Sequence, residues 1–452
     1  MAQPNERLAD YLARSGMSKG ELARQVHVQA LRYGHRHINP NTTRVRRWLE
    51  GEQPREPVPR ILADVFSERF GYRVTTFDLG LGGLPDLDRS LVYAASFGET
   101  VESVTELGRV DVDKDRRNLL AALPFIAVAG TGPSRDWLLQ TLDQAPAPGP
   151  RVRLEDVTSV RNMFAKFQNM DVMRGGGAGG RELLTEYMNE HVYPLLRRTH
   201  GEDVRQALCA AAAEQTYLLG WMAYDDGEHG TAQRYLIQAL RLAQESNDPA
   251  LGAHVLAGMA DQATLQGDPS EGRRLAQSGR LGLVNADSAA CLADLWALEA
   301  RALAALGDSA AAAHAVAQSE KAFERVRPDT EPEWAKFIDG AYLHGEYANA
   351  FRDLDQPDAA TEHAQRSIDF ARAQGRARRG AMSQAALAVS HLQRRDLEAA
   401  HAAGLRAIRL SGQVSSSRSL EAVQDVQRRM VPFGAHPLVA DFNDRVRDLA
   451  AA

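Results

Sequence analysis

The predicted fold depends on a pattern of small residues seen in ARALAALGDSAAAAHAVAQS, residues 300–319. Within it, Gly307 follows a small residue seven positions earlier, Ala300, and precedes small residues five and twelve positions later, Ala312 and Ser319. Two antiparallel helices need small side chains at such spacings, because their backbones approach closely there. The stretch therefore predicts a helix, a turn at Gly307 and a second helix.

The same pattern recurs along the chain with a period of 40 residues. Glycines at 227, 267 and 307 mark three turns, and Asp355 and Arg395 continue the series after one step of 48 residues. The positions seven before, five after and twelve after each turn residue are all small: Gly220, Ala260, Ala300, Ala348, Ala388, Ala232, Gly272, Ala312, Ala360, Ala400, Ala239, Gly279, Ser319, Ser367 and Ala407. This period is typical of a solenoid of helix pairs, and it resembles the tetratricopeptide repeat with longer helices. The sequence predicts an all-α protein whose repeat domain covers 152–452 and ends in capping helices from Ser419.

Ahead of the repeats, residues 1–76 predict a small domain of four short amphipathic helices. Ser18 is a good N-cap for the second helix, and Asn41 is a good N-cap for the third, which Gly51 can end. Residues 77–151 predict a linker region that is partly helical, with the stiff stretch QAPAPGP at 144–150.

Charge separates the head from the rest of the chain. Residues 1–76 hold 13 Lys and Arg against 8 Asp and Glu, a net of +5, while the remainder carries −11. A basic head on an acidic body favours a polyanionic partner for the head and a basic or amphipathic partner for the body.

The third helix lies in NTTRVRRWLEGEQPR, residues 41–55. Val45, Trp48 and Leu49 fall at i, i+3 and i+4 and are predicted to face inward. The exposed positions that this leaves, and that we interpret as DNA-contacting, are Thr43, Arg44, Arg46 and Arg47.

No acidic residue occurs between Leu22 and Leu49. Like charges on one helix repel, so such a run favours a phosphate backbone as the source of counter-charge. An exposed helix that is merely solvated, or that binds a protein, remains the alternative. The insert at 27–41 is longer than the usual turn between two DNA-binding helices, and it either extends the second helix or contacts phosphates through Arg32 and Arg36.

Other motifs are weaker. The glycine cluster RGGGAGGREL at 174–183 follows a helical pattern rather than a strand, so we interpret it as a connection and not as a nucleotide site. The aspartates of DVDKDRRNLLAA at 111–122 lack the glycine and glutamate of a calcium loop. The two cysteines, Cys209 and Cys291, have no metal or redox spacing. We expect no enzyme, cofactor or metal, no membrane segment and a cytoplasmic location.

Three stretches of the chain resemble a known group of proteins: SKGELARQV, RVRRWLEGEQPREPVPRILADVFSERFG and MRGGGAGGRELLTEYMNEHVYPLLR. The first two stretches are similar to lambda-repressor-like helix-turn-helix domains, in which the later helix enters the major groove. Nearly the whole chain is similar to actinobacterial regulators that join such a head to tetratricopeptide repeats, among them negative regulators of sporulation and antibiotic production.

The resemblance implies a cytoplasmic transcriptional repressor whose Arg44, Arg46 and Arg47 meet double-stranded DNA, with Trp48 and Gly51 holding the helix. The resemblance does not identify a ligand for the repeats; we expect their groove to bind a peptide, small molecule or protein, and a homodimer is compatible with this organisation. The alternative function is a repeat scaffold for protein–protein interactions whose head no longer binds DNA.

Overall fold

The computed structural model of the 452-residue chain describes most of its residues. These are 4–33, 35, 38–55, 57–70, 74, 76, 79–81, 90–91, 93–94, 96–112, 121, 123–126, 129, 133–134, 137, 154–175, 179–198, 200–283 and 288–451. Within these ranges all regular secondary structure is helical and no strand occurs, which confirms the predicted all-α class. The chain divides into two compact units, Met1–Asp88 and Arg89–Ala452.

The described residues of the head unit form four helices: α1 at Glu6–Ser15, α2 at Lys19–Arg32, α3 at Thr42–Leu49 and α4 at Val58–Phe70. The predicted N-caps are present. Ser18 Oγ accepts a hydrogen bond from the Glu21 amide at 3.1 Å, and Asn41 Oδ1 accepts one from the Arg44 amide at 3.0 Å. Each cap satisfies a backbone donor that the first helical turn leaves without a partner.

One apolar core holds the four helices of the head together. Val45 and Trp48 of α3 are buried in it, beside Leu22 of α2 and Phe66 of α4, and Leu49 is partly buried against it. The inward face predicted for α3 is therefore confirmed.

The region expected as a linker, 77–151, contributes to the second unit in part of its described length. A helix at Phe97–Val112 contacts the helix His229–Glu245. Nearby, Gln238 Nε2 donates to the Ser90 carbonyl at 2.9 Å. The stiff stretch at 144–150 lies outside the described residues.

The second unit is a stack of helix pairs preceded by Leu154–Arg174 and by Gly180–Tyr187, which continues through a π turn, Met188–Val192, into Tyr193–Leu196. The six pairs are Glu202–Asp225 with His229–Glu245, Pro249–Leu265 with Pro269–Gly282, Ala289–Ala305 with Ser309–Phe323, Gly340–Asp353 with Pro357–Ala373, Ala377–Gln393 with Leu397–Ser411, and Ser417–Met430 with Pro437–Ala451. The sixth pair lies where capping helices are predicted. Neighbouring pairs contact one another in a solenoid-like arrangement.

The 40-residue phase corresponds to the turns inside the pairs. All five turn residues adopt the left-handed backbone conformation, with φ of 79° at Gly227, 86° at Gly267, 79° at Gly307, 56° at Asp355 and 62° at Arg395. The fifteen small residues are all buried. A Cβ added to one of them, Gly279, would lie 2.6 Å from Leu295 Cδ2, which shows how closely the helices approach.

These turns allow a matched test of backbone conformation. A Cβ on Gly307 would meet no atom within 4 Å, so Gly307→Ala changes little except the strain of its positive φ. We expect this substitution to destabilise the repeat unit by about 1–2 kcal/mol, and Arg395→Gly to stabilise it by up to about 1 kcal/mol. Urea denaturation of both variants checks the two signs. Equal effects of the same sign would contradict this account of the turns.

In the part of the chain that the structure describes, no helix is both long enough and apolar enough to cross a bilayer. Cys209 and Cys291 are both buried free thiols.

Candidate functional site

The exposed face of α3 is the first candidate site. Thr43, Arg44, Arg46 and Arg47 are all exposed, while Val45 and Trp48 on the opposite side are buried. The structure thus gathers four of the six predicted contact residues on one face.

Two of these arginines have carboxylate neighbours from just beyond α3. Arg44 Nη1 lies 3.4 Å from Glu52 Oε1, and Arg46 Nε lies 3.6 Å from Glu50 Oε1. The interpretation that the basic run has no counter-charge within the protein is therefore corrected, because Glu50 and Glu52, which follow the run, lie close to its arginines. Both pairs are solvent-exposed, and such pairs contribute only about 0–1 kcal/mol, so a phosphate can compete for either arginine.

Arg32, one of the two candidates from the insert, does not join this face. Arg32 is exposed, but its Nη1 lies 3.0 Å from Glu68 Oε1 and links α2 to α4. Contact of Arg32 with DNA would require that pair to open. Arg36 lies outside the described residues. The helix α2 reaches Arg32, so the insert does extend the second helix.

Arg47 differs from its neighbours, since it makes no ion pair with any residue in the described ranges.

Beside α3, the first turn of α2 approaches the first turn of α3. A Cβ on Gly20 would lie 3.5 Å from Thr42 Cγ2. The positive ends of the two helix dipoles therefore lie close together at the start of α3, whereas Arg46 and Arg47 lie in its last turn. Such ends attract phosphate. Sequence reasoning missed this convergence, although the adjacent N-caps at Ser18 and Asn41 signal both helix starts.

The inner face of the repeat unit, formed by the first helix of each pair, is the second candidate. An ion network crosses it, with one residue from each of pairs two to six. Arg301 Nη1 lies 2.9 Å from both Asp261 Oδ1 and Glu346 Oε2. Arg379 Nη1 lies 2.9 Å from Glu346 Oε1, and Arg418 Nη2 lies 3.2 Å from Asp261 Oδ2.

Burial and pairing act against each other in this network. Burial opposes ionisation of Glu346, but attraction to Arg301 and Arg379 outweighs it and holds the pKa of this carboxyl well below its usual range. Burial raises the pKa of Asp294 to about 8, although the Tyr342 hydroxyl donates to it. Glu346 is therefore a charged member of the network and Asp294 is largely neutral near pH 7.

Another arginine, Arg378 of the fifth pair, makes ion pairs with the start of the repeat unit. Arg378 Nη2 lies 2.9 Å from Asp171 Oδ2, on the helix that precedes the pairs. Its Nη1 lies 2.7 Å from Asp225 Oδ2 in the first pair. Asp225 also accepts a hydrogen bond from Ser416 Oγ at 2.8 Å, at the start of the sixth pair. The first pair thus contacts both the fifth and the sixth.

Aromatic side chains fill the space that remains on the inner face. The segment between pairs three and four inserts Trp334, which is 2% exposed. His254 stacks on Trp334 with the ring centroids 4.7 Å apart. The cleft beside them, lined by Trp221 and Phe337 among others, leaves about 40 Å³, which is room for roughly one water. A partner of peptide size would have to displace these side chains.

A more open groove lies between the C-terminal ends of the second helices of pairs four and five. It holds about 410 Å³. Its lining contains no acidic residue and includes the apolar residues Ile368 and Leu410. It also includes four arginines: Arg372, Arg376, Arg406 and Arg409. Arg372 and Arg376 pair with carboxylates outside the lining, Asp369 and Asp339. Arg406 and Arg409 make no ion pair with any described residue, so they supply the positive charge of this groove.

The weaker motifs have structural roles where they are described. Asp111 accepts from Arg181 Nη2 at 2.6 Å and from the Tyr235 hydroxyl at 2.9 Å, so its carboxylate is engaged in the fold. The glycine cluster follows the helix Leu154–Arg174, as expected of a connection. Its Gly177 lies outside the described residues.

Comparison with known proteins gives one partial match. Residues 8–82 match a family described as the SP15 N-terminal domain. This segment covers α2, α3, α4 and α1 from Leu8 onward, and it extends beyond residue 76, where the sequence placed the end of the domain. No curated protein matches the chain.

Proposed function

We propose that the head unit binds double-stranded DNA through the exposed face of α3, and that the chain is a transcriptional regulator. In this proposal α2 and α3 act as a helix-turn-helix, with α3 in the major groove. The target genes proposed from the resemblance are developmental or antibiotic-production genes, which the protein would repress.

The observation that carries the proposal is the position of Arg47. Its side chain is exposed in the last turn of α3, and it makes no ion pair with any described residue. Arginine at such a place can donate two hydrogen bonds to a guanine edge or can contact a phosphate. Thr43 lies one turn earlier on the same face, where its hydroxyl can reach the backbone of the same duplex.

In this proposal the effector or partner binds to the repeat unit. The inner face is occupied by the unit's own side chains, whereas the groove lined by Arg372, Arg376, Arg406 and Arg409 is open. We therefore propose an effector or partner segment with an anionic group at this groove, since Arg406 and Arg409, which make no ion pair with any described residue, favour negative charge.

A specific observation favours the alternative function. Arg32, Arg44 and Arg46 all have carboxylate neighbours in the head, as an ordinary solvated surface does. A protein scaffold whose head docks another protein fits those three pairs. Loss of DNA binding on substitution of Arg47 separates the two functions.

The test is Arg47→Ala in the full chain. If Arg47 contacts a base, affinity for the target site should fall by about 1–3 kcal/mol. If it contacts a phosphate, affinity should fall on all sequences and the salt dependence should become shallower by about one ion. Mobility shifts over a salt series, on DNA selected by the parent protein from random duplexes, measure both quantities.

Arg447→Ala is the matched control. It removes one arginine from an exposed i, i+3 pair with Asp444 in the repeat unit and leaves the head unchanged. DNA affinity of this variant should equal that of the parent. Parental affinity for Arg47→Ala, or failure of the parent to select any DNA, would favour the scaffold function instead.

A further inference from the structure

Three metal-binding side chains from three successive helices meet between the third and fourth pairs. Glu320 lies on Ser309–Phe323, His344 on Gly340–Asp353 and His363 on Pro357–Ala373. One nitrogen of each imidazole and one carboxylate oxygen of Glu320 all lie within 4.8 Å of one another. The two Nδ1 atoms are 3.0 Å apart. None of these residues belongs to the α3 face or to the inner-face ion network.

The spacing of these donors suits a small ion. Zinc binds imidazole nitrogen and carboxylate oxygen at about 2.0–2.2 Å, so two ligands of a tetrahedral zinc lie roughly 3.3 Å apart. The separation of the two Nδ1 atoms is within a few tenths of an ångström of that value. Glu320 is only partly buried, and rotation of its side chain can bring the oxygen closer by the ångström or so that is needed.

Aromatic rings hold the two imidazoles in this orientation. The His363 ring stacks on Phe351, with 5.5 Å between centroids, and the His344 ring stacks on Phe370 at 6.1 Å. Tyr347 lies edge-on to both imidazoles. These contacts fix the rings before any ion arrives, which lowers the entropic cost of assembling the site.

A direct hydrogen bond between the imidazoles accounts for only part of the geometry. One Nδ1 can carry a proton and the other can accept it, but this pairing does not involve Glu320, whose charged neighbour is Arg366. An ion between the three donors would use both nitrogen lone pairs and the carboxylate together. Imidazole and carboxylate are also the mixture of ligands that zinc and similar first-row divalent ions accept.

We propose that Glu320, His344 and His363 form a binding site for a divalent transition-metal ion such as zinc, with water as the fourth ligand. The ion would join the third pair to the fourth and would stabilise the stack at that joint. This inference does not depend on DNA binding by the head.

The test uses the full chain after treatment with EDTA and removal of the chelator. Calorimetric titration with zinc should show one saturable site per chain, and the melting temperature of the repeat unit should rise by a few degrees when the site is filled. Cobalt in place of zinc should give the intense visible absorption of a four-coordinate ion. X-ray absorption of the zinc-loaded parent should show two imidazoles among light-atom ligands.

His363→Ala and His344→Ala should abolish saturable binding, and Glu320→Gln should weaken it by about tenfold or more. His314→Ala removes an exposed histidine from the same helix as Glu320 and should bind zinc like the parent. Circular dichroism in EDTA establishes that each variant is folded, and if a histidine variant is not, Glu320→Gln and the absorption spectrum of the parent decide. Absence of saturable zinc binding by the parent, or an absorption spectrum without two imidazoles, would overturn the proposal.

Discussion

Replacing Trp48 with alanine is expected to destabilise the head unit by about 3–5 kcal/mol, since it deletes a buried aromatic side chain from the core. Trp48 is 2% exposed and packs with Val45 and the other residues of the head core. Hydrogen exchange followed by mass spectrometry measures the effect on peptides from 6–70 separately from the repeats. Exchange protection in those peptides should fall by two to four orders of magnitude, or to the level of local opening if that is reached first.

The matched substitution on the opposite face is Arg47→Ala. Because Arg47 is exposed, its removal should leave exchange of the same peptides within about 0.5 kcal/mol of the parent. Peptides from the repeat unit should exchange alike in all three proteins. Unchanged protection in the Trp48→Ala head would mean that α3 is not packed as described.

Replacing Glu346 with alanine should destabilise the repeat unit by about 3–5 kcal/mol, because it leaves buried positive charge without its partner. Glu346 is 1% exposed and lies 2.9 Å from a guanidinium nitrogen of both Arg301 and Arg379. Urea denaturation at pH 7 measures the loss. Glu346→Gln keeps the shape and one acceptor, so its loss should be smaller than that of the alanine variant.

Glu362→Ala provides the control for this second experiment. Glu362 pairs with Arg366 one turn later, and both side chains are more than half exposed, at 61% and 52%. Such an exposed pair within one helix contributes about 0.3–0.5 kcal/mol. Equal losses for Glu346→Ala and Glu362→Ala would show that the network does not stabilise the inner face through burial.

The helix pairs could be predicted from the sequence because their determinants are local. The close approach of two helices is indicated directly by a small residue on each side of a turn, all within twenty positions. Arg395 shows the limit of residue type as a signal. It has the same left-handed conformation as Gly307 although arginine rarely adopts it, and only the phase of the repeat identified it as a turn.

The charges could not be predicted in the same way. Arg32 pairs with Glu68 and Arg378 with Asp171, and these partners are far apart in sequence. The separation depends on how the helices pack and on the rotation from each helix pair to the next. A run of arginines therefore indicates how much positive charge a segment has, but not where the neutralising carboxylates lie.

The contacts between the first and sixth helix pairs bear on how the repeat unit folds. In an open solenoid each repeat contacts only its neighbours, so the ends fray independently and folding can spread from any point. Here Ser416 is hydrogen-bonded to Asp225 across 191 residues of sequence. Bringing such distant residues together costs conformational entropy before their contacts form, so this closure should slow refolding. Once formed, it joins the two ends of the stack into one cooperative unit, in which the terminal pair cannot open without also weakening the first.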